Sequence, residues 1–236
     1  MKNILTYILL SSICSGAFSF AYKIIASKDS FFTANRLTIL GSLIASILLP
    51  FISWSSLSKG EASPINELIY AVNLNEIVVS ASTITPPNWS SALITVYVVG
   101  ATLILLILIG SLVGIARSIF GADKVIRTEN YTLLLHKKSN LKPFSWMSYI
   151  ILSHQDYENH RKEIIMHENA HIHFRHSWDI LLLHIIATIQ WFNPFVWLWK
   201  AELRRVHEYQ ADQYVLQSGI NAQLYQLLLI KKSVGD

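Results

Sequence analysis

The sequence is short of charge and almost without cysteine. Only 14% of its 236 residues are charged and 52% are hydrophobic, whereas a soluble domain carries about 25% charged residues. That deficit points to a membrane protein rather than a freely soluble one. The single cysteine, Cys14, lies inside an apolar run, which excludes a disulfide framework and a cysteine-based metal site. Ile13 precedes it where lipid attachment would want a small residue, so Cys14 reads as a packed or lipid-facing thiol. No block of Lys and Arg interleaved with aromatics occurs, so the net charge of +4 describes no nucleic-acid groove. Internal repeats and low-complexity tracts are missing as well.

What the chain does have is long apolar runs. A spanning helix needs about 20 mostly apolar residues; residues 4–22 and 94–116 meet that length, and 38–54 nearly does. Gly100, Gly110, Ser111 and Gly114 in the third run would let other helices approach closely. Lys2 could instead open a signal peptide. Cleavage would then leave Lys23, Lys28 and Arg36 outside, against the rule that cytoplasmic loops hold the Lys/Arg excess. With three uncleaved spans the same rule puts the N-terminus outside, residues 55–92 in an outer loop and everything after Arg117 in the cytoplasm. The expected division is a transmembrane region over 1–116 and a cytoplasmic domain over 117–236. Residues 125–153 read as a β-hairpin or small sheet with Lys137-Lys138-Ser139-Asn140 as its turn. Pro143, which cannot donate to a ladder, would open an edge strand there.

Within that domain, residues 157–175 are good helix material with neither Pro nor Gly, and they contain His167-Glu168-Asn169-Ala170-His171. Helical spacing puts the two imidazoles on one face, one turn apart, where both reach a single zinc ion. Glu168, beside them, is placed to take a proton from a water activated by the metal. A catalytic zinc wants a third protein ligand. The extended three-histidine form fails, because Phe174 and Ser177 stand where it needs Gly and His. His173, His176 and His184 are off that spacing and read as structural or surface residues. Glu208 on a later helix is the other option, with Glu202 as a weaker competitor on another face. Asp212, four residues beyond Glu208, is placed to hydrogen-bond a ligand histidine and fix its tautomer.

One feature conflicts with that set: residues 179–200 are long and apolar enough to cross the membrane, which would put Glu208 on the wrong side. Asn193-Pro194 offers the way out, since proline removes an i→i−4 hydrogen bond and disfavours helix in the residue before it. The run then becomes a hairpin over 177–217 that dips into the membrane. Its first arm spans roughly 22 Å, short of the ~30 Å hydrocarbon core. A kinked true span is the alternative, and it would rule out Glu208.

The opening span, SKDSFFTANR, KPFSWMSYIILS, HENAH and WFNPFVWLWKAELRRVHEYQAD together resemble the BlaR/MecR-type membrane metallopeptidases, in a version common in the Bacteroidetes. The most specific pieces are FNPFVW and the pattern of Glu208, Ala211 and Asp212. The resemblance covers nearly the whole chain. It implies a mainly α, polytopic membrane protein with a gluzincin-like α+β peptidase domain in the bacterial inner membrane. It implies one Zn2+ held by His167, His171 and Glu208, with Glu168 as catalytic base and Asp212 behind the ligands. Pro143, Phe144, Ser145, Trp146 and Met147 would form the edge strand that binds substrate peptide. The family cleaves a cytoplasmic DNA-binding repressor, or itself, after an extracellular signal. The expected partners are therefore that protein and the bilayer, with no direct nucleic acid; a homodimer is left open. Set against the family, the chain is expected to lack the C-terminal span and sensor domain. Ala211 replaces the Cys usual in the β-lactam sensors, as in the HtpX and CAAX-protease group. Two other readings stand beside this one: a non-catalytic signalling or scaffold protein with a structural zinc, and a general membrane quality-control protease.

Overall fold

The computed structural model describes residues 2–27, 29–57, 89–138 and 141–234. Residues 58–88, most of the expected outer loop, and Ser139-Asn140 of the expected turn lie outside the described residues. Among the described residues three helices are long and apolar enough to cross a membrane: α1 (Lys2–Ile25), α2 (Phe32–Leu57) and α3 (Trp89–Phe120). Each outruns its apolar stretch, because helical hydrogen bonding continues through flanking polar residues such as Arg36 and Arg117.

Among the described residues α3 buries none from Ser91 to Phe120, and Leu103, Leu106 and Ile107 lie open along it, the surface expected of a helix facing lipid. Of its glycines, Gly100 meets a neighbour among the described residues: a Cβ there would run into the Trp191 ring. Gly110 and Gly114 face open space among the described residues, and Ser111 bonds back to Ile107 O. Among the described residues the close approach that these small residues would allow is seen at Gly100.

After α3 comes a four-stranded sheet of order β1-β2-β4-β3, built from β1 (Lys124–Arg127), β2 (Thr132–His136), β3 (Phe144–Trp146) and β4 (Tyr149–Ser153). The expected small sheet is present, and β2 and β3, the strands before and after residues 137–140, each pair with β4 rather than with one another. The stretch from 125 to 136 turns back at 128–131, where the Thr128 hydroxyl donates to Tyr131 O and accepts from Tyr131 N. β2 therefore pairs antiparallel with β1 and parallel with β4, in the register Leu134↔Ile151. β3 folds onto β4 through Met147, whose φ of 52° is left-handed. The central strands carry continuous buried runs, Leu133–Leu135 and Ile150–Leu152, as strands covered on both faces do. β3 takes the edge.

The helical stretch over 157–175 is also divided. α4 (His154–Asn159) starts on Ser153, whose hydroxyl accepts from Asp156 N and donates to the Asp156 carboxylate, and it stops at His160. α5 (Arg161–His173) follows, its Ile164 packing into the sheet core. Arg175, with φ of 58°, then turns the chain sharply into α6 (His176–Ile189).

The apolar run over 179–200 is not one helix. α6 ends at Ile189, and Asn193 caps α7 (Pro194–Gln217) by accepting from Phe195 N, with Pro194 in the first turn. Pro194 needs no N–H at that position, and its fixed φ suits a helix start. Tyr22 of α1 and Ile39 and Leu43 of α2 pack against Leu183 of α6 and Val196, Trp199 and Leu203 of α7. Phe195 at the tip sits against Gly16, where a Cβ would come within 2.8 Å; Gly16 lies midway along the Thr6–Ile25 span. From that tip, the 14 residues to Glu208 carry α7 back about 21 Å. Gly219 then takes φ of 80° and leads to α8 (Ala222–Val234), which Asn221 caps.

Candidate metal centre

α5 and α7 lie side by side and bring the candidate ligands together. The Nε2 atoms of His167 and His171 are 3.2 Å apart, and Glu208 Oε2 is 3.5 Å from His167 Nε2. All three ligand atoms lie within 4.8 Å of one another. Glu208 is half exposed, so the cluster is open on one side. Glu168 follows His167 on α5 and is buried, with its charge close enough to act on His167. Glu202 is not in the cluster; it pairs with Arg205 at 3.0 Å.

The outer nitrogens of the two histidines meet different groups. His167 Nδ1 lies 2.8 Å from the Tyr225 hydroxyl and 3.2 Å from Asp212 Oδ1, and Tyr225 itself donates to Asp212 at 2.7 Å. Burial lowers the His167 pKa, but the hydrogen bonds to Asp212 and Glu208 and the Glu168 charge outweigh it and raise it to about 9. His171 Nδ1 lies 2.7 Å from His176 Nδ1. Burial and the His167 charge lower His171 to about 4. Burial and the His207 charge push His176 down to about 2, so it remains neutral. Asp212 sits in a competing field: burial raises its carboxyl, while hydrogen bonds from His167 and Tyr225 carry it below the usual value.

Behind these residues lies a buried polar layer. His176 Nε2 is 3.1 Å from Gln210 Oε1, and Gln210 Nε2 donates to Thr33 Oγ1 on α2. His176 stacks on His207 with centroids 3.9 Å apart and planes 12° apart. His207 Nε2 contacts Asp179 Oδ2 at 2.8 Å, and Arg36 donates to the same carboxylate at 2.6 and 3.1 Å. Burial raises the Asp179 pKa, and its bonds to His207 and Arg36 more than reverse that. These contacts place the start of α2 on the metal cluster's side of the fold. Pro143, Phe144, Ser145, Trp146 and Met147 run along the sheet edge, with β3 against α5. Met147 N donates to Ser177 Oγ at 3.0 Å, which ties that edge to the start of α6.

Helical spacing singled out His167 and His171, and the resemblance added Glu208 and Asp212; neither pointed to His176, Gln210, Asp179, His207 or Tyr225, which the structure packs around them. His176 comes back to His171 only because Arg175 adopts a left-handed turn, which no local rule assigns to arginine. Tyr225 had one available signal: the Gly219–Asn221 break, which announces a new helix close behind Asp212.

No curated protein matches the chain. A profile of the BlaR1 peptidase M56 family matches residues 42–235. The match takes in most of α2, the sheet, the hairpin and every residue of the metal cluster. The chain therefore belongs to the BlaR1 peptidase M56 family, a family of metallopeptidases.

Proposed function

We propose that the protein is a zinc endopeptidase of the bacterial cytoplasmic membrane that cleaves a cytoplasmic regulatory protein, in particular a DNA-binding repressor, or itself. The observation that carries this reading is the convergence of His167, His171 and Glu208 beside Glu168. Two imidazoles and one carboxylate, open on one side, suit a catalytic zinc rather than a closed structural one. When bound, the zinc supplies Lewis acidity, which lowers the pKa of water and polarises the scissile carbonyl. Glu168 takes a proton from the attacking water on a carboxylate oxygen and passes it to the leaving amine nitrogen. Asp212 and Tyr225 hold the His167 ring at Nδ1 and leave Nε2 for the ligand site.

The substrate side of the reading rests on β3. Among the described residues its outer edge has no strand partner, so an extended peptide can add to it by main-chain hydrogen bonds. Pro143 limits that edge at one end, and the Met147–Ser177 bond fixes the other. In this reading the hairpin tip lies within the bilayer and the metal cluster lies at the cytoplasmic face. The abundance of Lys and Arg after Arg117 and in the loop before α2 supports that orientation.

The test is zinc content and cleavage by protein purified in detergent. Glu168→Gln should keep its zinc and lose about 100- to 10,000-fold in cleavage rate, the usual share of a general base. His167→Ala should lose the zinc. Equal zinc in the wild type and His167→Ala would overturn the reading.

A further inference from the structure

We propose that His176 is a positioning residue for the ligand His171, and that α2 holds it in place through Thr33 and Arg36. The inference rests on His171 being a metal ligand. If Nε2 of His171 is given to the metal, its proton is on Nδ1, and the 2.7 Å contact makes His176 Nδ1 the acceptor. His176 then carries its own proton on Nε2 and donates it to Gln210 Oε1, while the Gln210 amide nitrogen donates to Thr33 Oγ1. The four groups form one chain of hydrogen bonds in a single direction. No member has two roles that conflict, so each tautomer is fixed by the next partner.

A second arm fixes the plane of the same ring. His207 lies flat on His176, its Nε2 is held by Asp179, and Arg36 grips Asp179 with two nitrogens. His176, His207 and Gln210 are all buried, where an unmade hydrogen bond is costly. Both arms end on the first turns of α2, the second of the helices long enough to cross a membrane. Among the described residues no such chain of hydrogen bonds joins His167 to α2; its carboxylate and phenol partners come from α7 and α8. The hydrogen-bonded path from α2 therefore ends on His171.

Two readouts test this in the full-length protein: zinc affinity by chelator competition, and the visible spectrum of the Co2+-substituted form. His176→Phe keeps a ring to stack on His207 but removes the acceptor. His176→Asn loses the stack but puts an amide oxygen close to the former Nδ1. The expected result is zinc binding weakened about 10- to 100-fold in His176→Phe, with altered Co2+ bands, and substantial recovery in His176→Asn. A role in packing alone predicts the reverse ranking, and that ranking would overturn the proposal. Thr33→Val should weaken binding about fivefold, the worth of one hydrogen bond. Thr38→Val is the control, since that hydroxyl donates to Ala34 O of its own helix; an equal effect there would also overturn the proposal. Zinc binding and cleavage unchanged in all His176 and Thr33 variants overturn this inference alone. A wild-type protein that takes up no zinc overturns it together with the metallopeptidase reading.

Discussion

His167 and His171 stand one turn apart on the same helix, yet their outer nitrogens meet opposite chemistry. His167 faces an acid and a phenol, Asp212 and Tyr225, brought from α7 and α8. His171 faces a neutral imidazole, continued by an amide and a hydroxyl as far as α2. A carboxylate partner raises the basicity of a ligand imidazole and fixes its orientation. A neutral chain fixes orientation without adding charge. The pair teaches that the motif supplies two equivalent imidazoles and the surrounding fold makes them unequal: one meets a carboxylate, the other a neutral hydrogen-bonded chain that ends on α2.

Removing the acid should break that contrast most strongly. Asp212→Asn leaves His167 with a neutral partner like that of His171, and zinc affinity should fall about 10- to 100-fold. Unchanged affinity in a chelator competition would mean the carboxylate is a bystander. Tyr225→Phe should act in the same direction but less, by about fivefold, because Asp212 still reaches His167 Nδ1. A loss in Tyr225→Phe larger than that in Asp212→Asn would reverse the assignment of roles.

The smallest effect belongs to the other arm and is read through pH. Asp179 is held below the usual aspartate value because its bonds to His207 and Arg36 outweigh its burial. A carboxylate depressed in the folded state contributes stability above its unfolded value, about 3.9, and loses it as pH falls through the folded value. Asp179→Asn should therefore melt below the wild type in detergent at neutral pH, and the gap should close only below about pH 4. A gap that persists undiminished into stronger acid would show that the charge on Asp179 contributes nothing.

How much of this was legible depended on whether the deciding interaction was local. The apolar lengths of α1, α2 and α3 could be read directly. So could the break at Asn193-Pro194, since cap and proline act on their own neighbours. The His167–His171 pair and the Glu208–Asp212 offset follow from helical spacing, whereas the choice of Glu208 over Glu202 came from the family resemblance. The break at His160 and the turn at Arg175 carry no such local signal, so the helix over 157–175 reads as longer than it is. The parallel pairing of β2 with β4 was hidden because strand alternation does not name a partner. The polar layer from His176 to Thr33 joins residues up to 177 positions apart, and only the packed hairpin makes them neighbours.

The central claim is that the hairpin folds back to deliver Glu208 as the third ligand. Metal analysis of purified wild type, Glu208→Ala and Glu202→Ala tests it directly. The account predicts one zinc per chain in the wild type and in Glu202→Ala, and its loss or marked weakening in Glu208→Ala. Zinc retained at equal affinity in Glu208→Ala, or lost instead from Glu202→Ala, would contradict it.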